Sequence, residues 1–413
     1  MKNTDIRSFD LTQRTIFGLL SQTLFGAAYT PEPDVDWTEV YQESENQAVR
    51  LQTFANHHLI PDIPDELREK IRRYLAAAML RNARIHGEHT YVHTLLTQNG
   101  IAYSVLKGAG SACYYPDPLT RAMGDVDFFV SREDFDRALA LFTREGFTAS
   151  GQDHICHVVL RKKPIHLEMH FEPAGVPDGE VGEKILSYLS DLRACAVPLK
   201  SRLTTCMRPC DFHHGLIMLM HLQHHLLAEG IGLRHLCDWA VFVNHFRPNE
   251  FRETFEERLK AVGLWRLARL LSLSAALYIG LPEQDWMRDD PEDGEIAGQL
   301  MVDIVAGGNF GKKNRQRAYE GLFISNRGKD GVGNNRLKEG FGALNRITRA
   351  KCPFTQRVPI LLPVGWVAVL LGYLFRNHKR NQTKGHVSAA DAYKKSSARQ
   401  QLYRKLGLYE PEL

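Results

Sequence analysis

Apolar and polar positions in the first hundred residues recur with a helical period. Residues 11–28 are apolar at helical spacing and stop before Pro31 and Pro33, and a second periodic stretch covers 35–58. Pro61 and Pro64 precede a long segment, 65–98, rich in Ala, Leu, Arg and Glu; Gly87 is its one internal breaker and Gly100 is placed to end a helix. At Ile101 the period changes. IAYSVLKG is a short β-prone run ending in a glycine turn, SACYYPDPLTRAMG reads as helix then loop, and DVDFFV reads as a second strand. Ser131 and Asp134 form a capping-box-like start for a helix whose apolar face is Phe135, Leu139, Leu141 and Phe142. HICHVVLR and IHLEMHFE follow as two strands joined tightly through Lys162, Lys163 and Pro164. The order strand, helix, strand, helix, strand, strand marks a small α/β unit. Beyond Pro177 the pattern is helical again, with Asp211 as an N-cap for the run to Leu227, then segments 233–246 and 255–279. The predicted class is therefore α+β: a mixed-sheet domain (100–175) embedded between a helical region (1–99), a second helical region that completes a cleft (176–310), and a C-terminal region (311–413).

Length and composition change this picture little. A chain of 413 residues with 44% apolar and 24% charged residues fits two or three globular units and excludes collagen-like, disordered and integral-membrane classes. Seven irregularly spaced cysteines do not form a disulfide framework, and the start MKNTDIRSFD lacks the signature of a secretory signal, so the cytoplasm is the expected compartment. Charge is more informative. Residues 311–405 carry 21 Lys and Arg against 4 Asp and Glu, which leaves 31 against 44 elsewhere: a basic tail on an acidic body. Such a tail expects a polyanionic neighbour, whether nucleic acid, anionic lipid at the inner face of a membrane, or the protein's own acidic half. Residues 358–375 are eighteen uncharged residues interrupted by Pro363 and Gly365, short for a bilayer span and suited to a buried helix or to an interfacial element using Trp366 and Tyr373.

The candidate chemistry sits in LKGAGS…GDVDFFV. Asp125 and Asp127 are two apart on a predicted strand and so share one face, where two carboxylates about 5–7 Å apart are costly unless a cation sits between them. Hard oxygen donors select Mg²⁺ or Mn²⁺. Upstream, Gly108, Gly110 and Ser111 form a turn whose N–H groups can approach a phosphate closely, and Lys107 and Arg121 flank it as charge partners. Glu168 on IHLEMH supplies a third carboxylate, with Glu172 as the fallback. A phosphate cradle beside a divalent metal is the equipment of phosphoryl or nucleotidyl transfer.

The Gly-Ser turn, thirteen residues and then Asp-hydrophobic-Asp resemble the nucleotidyltransferase signature of the DNA polymerase β superfamily. More narrowly, LKGAGS…YPDPLTRAMGDVDFFV…IHLEMH resembles the bacterial uncharacterised nucleotidyltransferase family, strongly over 101–172 and more weakly through RHLCDWAVFVNH. The resemblance implies a minimal nucleotidyltransferase sheet with Asp125 and Asp127 on Mg²⁺, a third carboxylate on a neighbouring strand, and Gly110 and Ser111 on the triphosphate. The expected reaction moves a nucleoside monophosphate from an NTP, ATP by default, to a hydroxyl of a small-molecule, glycan or peptide acceptor, releasing pyrophosphate. A nucleic-acid partner is not expected, because the tail lacks aromatic–basic interleaving. Two other classes compete: a catalytically silent nucleotide-binding module, and a membrane-surface scaffold in envelope polysaccharide assembly. His221 and His225 at i, i+4 spacing, Cys206 and Cys210 near His213 and His214, and Asp238 amid apolar residues complete the candidates; structural roles are the expectation for the first two sets.

Overall fold

The computed structural model describes residues 5–150, 156–177 and 179–314, and beyond them 361–367, 399–408 and a few further positions. Helices α1 (Leu11–Phe25), α2 (Trp37–Asn46) and α3 (Arg50–Phe54) open the chain. Asp10 and Gln13 form a reciprocal capping box on α1, and the Asp36 carboxylate accepts from the Thr38 and Glu39 N–H groups at the start of α2. The stretch expected as one helix over 35–58 is two, because the chain turns through Ala48 at φ 55°. Helix α4 (Asp65–Gln98) is about 51 Å long at 1.5 Å per residue.

After it come β1 (Tyr103–Val105), α5 (Ala109–Ala112), β2 (Val126–Val130), α6 (Phe135–Arg144), β3 (Thr148–Ser150), β4 (His157–Lys162) and β5 (Ile165–His170). They form a five-stranded sheet of order β1-β2-β5-β4-β3 in which β2 and β5 run parallel at the centre and the other pairs are antiparallel. The mixed sheet amid helices is the expected α+β class. Strand β3 was not anticipated: TAS is too short and too polar to register as a strand by pattern. Helix α7 (Glu180–Leu189) leads to a hairpin of β6 (Val197–Lys200) and β7 (Thr205–Arg208), where a wholly helical continuation was expected. Then follow α8 (Asp211–Leu227), α9 (Leu233–Asn244), α10 (Glu250–Lys260), α11 (Trp265–Ile279) and α12 (Asp293–Gly307). Cys210, not Asp211, occupies the N-cap of α8; Asp211 instead pairs with Arg208 at 2.9 Å and accepts from the Tyr114 hydroxyl at 3.0 Å.

Two apolar cores result. One joins the helical elements through residues such as Phe17, Trp239, Phe251 and Leu271, and the other lies on one face of the sheet around Val126, Phe128, Leu160, Leu167 and Met169. Helix α4 belongs to both, giving Ile71, Leu75 and Ala78 to the first and Ile85, Val92 and Leu96 to the second. It ties the sheet to the helices.

The basic C-terminal region lies mostly outside the described residues, as does most of 358–375. Where it is described it meets the protein's own acids: Lys312 pairs with Glu45 at 3.0 Å, Lys313 with Glu43 at 2.8 Å, and Arg317 with Asp303 at 2.9 Å. No described helix is long and apolar enough to cross a membrane.

Candidate functional site

Strands β2 and β5 are amphipathic, and their register does the first part of the assembly. Val126 faces Leu167 and Phe128 faces Met169 toward the core, so Asp127 and Glu168, themselves register partners, emerge together on the opposite face. Asp125, just before β2, lines the same cavity. Burial and then the charges of Asp127 and Glu168 push the Asp125 carboxyl above its ordinary range, which is the electrostatic signature of acids facing one another. Asp127 is buried. Burial alone would raise it, but the Lys107 ammonium at 3.4 Å and a hydrogen bond from His170 Nε2 at 3.2 Å hold it well below the usual carboxylate range. The His170 ring lowers Glu168 as well, its Nε2 lying 3.7 Å from the Glu168 carboxylate. His170 is raised in turn: burial opposes its charge, and Asp127 and Glu168 outweigh burial.

The glycine turn is shaped from behind by α4. His89, fully buried, accepts from the Ala109 N–H through Nε2 (3.2 Å) and donates through Nδ1 to the Ile85 carbonyl (2.8 Å). Burial pushes its pKa down to about 4, so it stays neutral and keeps that tautomer. Gly108 has φ +64°, and a Cβ there would stand 2.5 Å from His89 Nε2. Gly108→Ala is accordingly expected to cost about 2–4 kcal/mol in wild type, but about 1–2 in a His89→Ala background where the backbone strain alone survives. Denaturant unfolding of the four proteins checks this; equal costs in both backgrounds would rule out the clash. Two turns earlier on α4, Asn82 donates to the carbonyls of Leu119 (2.7 Å) and Arg121 (2.8 Å), fixing the loop that delivers Asp125.

The cavity between the sheet and helices α8 and α9 holds about 450 Å³, an ordinary size for a small-molecule site. Lys107, Gly108, Ser111, Asp125, Asp127 and Glu168 line one side. His221 and His225 from α8, Arg234, His235 and Asp238 from α9, and Phe310 line the other. Arg121 also lines it, but as half of an ion pair: its Nε and Nη2 each donate to Asp238 at 2.8 Å, and the Tyr115 hydroxyl donates to the same carboxylate at 2.7 Å. That pair consumes the charge that the sequence offered to phosphate, and it fixes Asp238 as an anchor between α9 and the loop before β2. Ser111 is buried with its hydroxyl 3.3 Å from His214 Nε2. Gly110 is not on the cavity wall; it packs against Val105, Arg208 and His214. Glu172 does not line the cavity either.

Neither of the zinc sites that spacing allowed gathers a third ligand among the described residues. His221 and His225 face each other through their Nε2 atoms at 3.1 Å, and Cys210 sits 3.3 Å from His213. The cluster that does form is His157, Glu168 and His170, with ligand atoms all within 4.8 Å of one another. His157 was not anticipated; as the register partner of His170 it reaches the site only through the β4–β5 pairing. Asn82, His89 and Arg234 were missed too. The first two had a readable signal, since Asn82, His86 and His89 fall on the buried stripe of α4 at helical spacing, where apolar residues belong. Three carboxylates on one wall, one of them raised by the others, suit a divalent cation.

No curated protein matches the chain. The model of the uncharacterised nucleotidyltransferase family matches residues 33–280, a span that contains the turn, the acids and both facing helices. By that match over more than half its length, and with the mixed sheet in place, this chain belongs to the uncharacterised nucleotidyltransferase family.

Proposed function

We propose that the protein transfers a nucleoside monophosphate from an NTP to the hydroxyl of a small-molecule, glycan or peptide acceptor, in a reaction that requires a divalent cation and releases pyrophosphate. The single observation that carries this reading is the convergence of Asp125, Asp127 and Glu168 with the Gly108–Ser111 turn on one cavity. Asp125, Asp127 and Glu168 would hold Mg²⁺, with Mn²⁺ as the alternative. Bound there, the cation supplies charge neutralisation and alignment for an in-line displacement. The chain's own residues do the rest. Lys107 and His170 keep Asp127 ionised. Lys107, Gly108 and Ser111 line the phosphate side. Glu168, more exposed than Asp127, takes the hydroxyl proton as the acceptor oxygen bonds the α-phosphorus and the bond to the pyrophosphate oxygen breaks. The facing wall is histidine-rich rather than a run of Lys and Arg, which favours a small acceptor over a polynucleotide.

The test is to offer the four NTPs with Mg²⁺ and follow pyrophosphate release together with a nucleotide-sized mass increment on candidate acceptors or on the protein itself. Release that is metal-dependent and lost in Glu168→Gln supports the transferase. Tight nucleotide binding with no release from any NTP would replace it with the silent binding module.

A further inference from the structure

Arg234 is the exception among the enclosed arginines of this protein. The buried ones among the described residues, Arg50, Arg121, Arg269, Arg317 and Arg399, each face a carboxylate within ion-pair distance. Among the described residues Arg234 faces none. There its enclosed Nε has no hydrogen-bond partner, and its backbone N–H donates to the Gln47 carbonyl at 3.3 Å. Its position aggravates this. Arg234 is the second residue of α9, where the helix dipole presents positive charge, and Arg121 adds a cation nearby. Asp238, the carboxylate that would compensate it, is already held in the bidentate pair with Arg121. A guanidinium cannot shed its proton to escape the cost. It lines the cavity that also contains the acids.

We infer that Arg234 is the receptor for the terminal phosphate of the nucleotide, and that it sets the preference for a triphosphate over a shorter phosphate chain. This rests on the nucleotidyltransferase reading of the same cavity. The location within the cavity selects phosphate. Arg121 donates to the Gly108 carbonyl at 3.4 Å while pairing with Asp238, and Arg121, Asp238 and Asp125 are the charged groups that act on Arg234, which ties Arg234 to the pair seated on the glycine turn, where a phosphate chain would run. Arg121 was, with Lys107, one of the two cations that the sequence offered to phosphate; the fold spends it on Asp238 and leaves Arg234 to meet a dianionic phosphate with a two-pronged, charge-assisted contact.

The test uses the full chain with magnesium tripolyphosphate and magnesium pyrophosphate as base-independent probes, followed by calorimetric titration and thermal unfolding. The wild type is expected to bind tripolyphosphate in preference to pyrophosphate. Arg234→Met is expected to bind tripolyphosphate about 10- to 100-fold more weakly with pyrophosphate affinity nearly unchanged. It is also expected to melt higher than wild type without ligand, because an uncompensated charge has left the cavity wall. Arg234→Lys, which keeps the charge and guards against a misfolded Met variant, should retain part of the preference. Unchanged tripolyphosphate affinity in Arg234→Met overturns the inference and leaves the transferase reading standing. A wild-type protein that binds neither polyphosphate nor any of the four NTPs overturns both.

Discussion

Asp127→Asn is expected to reduce nucleotidyl transfer by about 10³-fold or more and to melt below wild type, whereas Asp125→Asn is expected to be as inactive yet to melt above it. The two acids are separated by one residue and share a cavity, but their surroundings have opposite signs. Asp127 is buried with Lys107 at 3.4 Å and His170 at 3.2 Å, and both hold its carboxyl ionised. Replacing it with a neutral amide takes from Lys107 its ion-pair partner and leaves His170 with Glu168 alone, a loss of about 2–3 kcal/mol, moderated because Lys107 is partly exposed and His170 can become neutral. Asp125 has the reverse environment, raised by burial and by the charges of Asp127 and Glu168, so an amide there removes repulsion. On the proposed reading both variants lose an anionic donor for the divalent cation, so Mg²⁺ should raise the melting temperature of the wild type and of neither variant. Scanning calorimetry without metal, beside a pyrophosphate-release assay, measures all of this. Shifts of the same sign in the two metal-free variants would contradict the arrangement of charges described above.

The second large effect is acid lability. His89, His214 and His235 are buried, and burial pushes their pKa values down to about 4, about 3 and about 3. In the folded protein these rings are neutral throughout the range from neutrality to pH 5, while in the unfolded chain they take up protons below about 6.5. Their contribution to stability is therefore complete above pH 6.5 and declines as the pH falls, by about 1.4 kcal/mol per histidine per pH unit. At pH 5 that is about 2 kcal/mol each and about 6 kcal/mol together, comparable with the whole stability of a typical domain. His170 opposes this trend only above pH 6.5 and leaves the loss between pH 6.5 and 5 uncompensated. Its pKa is raised in the fold, so its stabilisation is present below 6.5 and disappears only as the pH rises through the folded value. Urea unfolding at pH 7, 6 and 5 should show a steep fall in midpoint, and His214→Gln should remove about 1.4 kcal/mol per pH unit of the fall. A midpoint that stays level from pH 7 to 5 would mean that these rings do not remain neutral inside the protein.

Much of the site was legible before any fold was known, because it rests on local periodicity. The alternation in DVDFFV and IHLEMH assigns carboxylates to one face of each strand, and the glycines before Ser111 announce a turn with backbone in a region closed to other residues. The α+β class follows from where a period of two interrupts a helical one. Other expectations failed for identifiable reasons. The hairpin at 197–208 is short and half exposed, so its alternation is faint against helical flanks. The break at Ala48 comes from a positive φ that alanine does not advertise.

The sequence by itself therefore determined which side chains share a strand face, where α1, α4 and α9 begin, and that two acids and a glycine turn lie close along the chain. Tertiary structure alone decided which cations those acids meet. Asp127 stands beside Glu168 only because β5 pairs with β2 in one register. Arg121 is unavailable to phosphate because Asp238, 117 residues away, reaches it first, and Arg234 is left without a counter-ion by the same contact. Charge pairing of this kind depends on distances of a few ångströms between segments remote in the chain, and no local pattern encodes them.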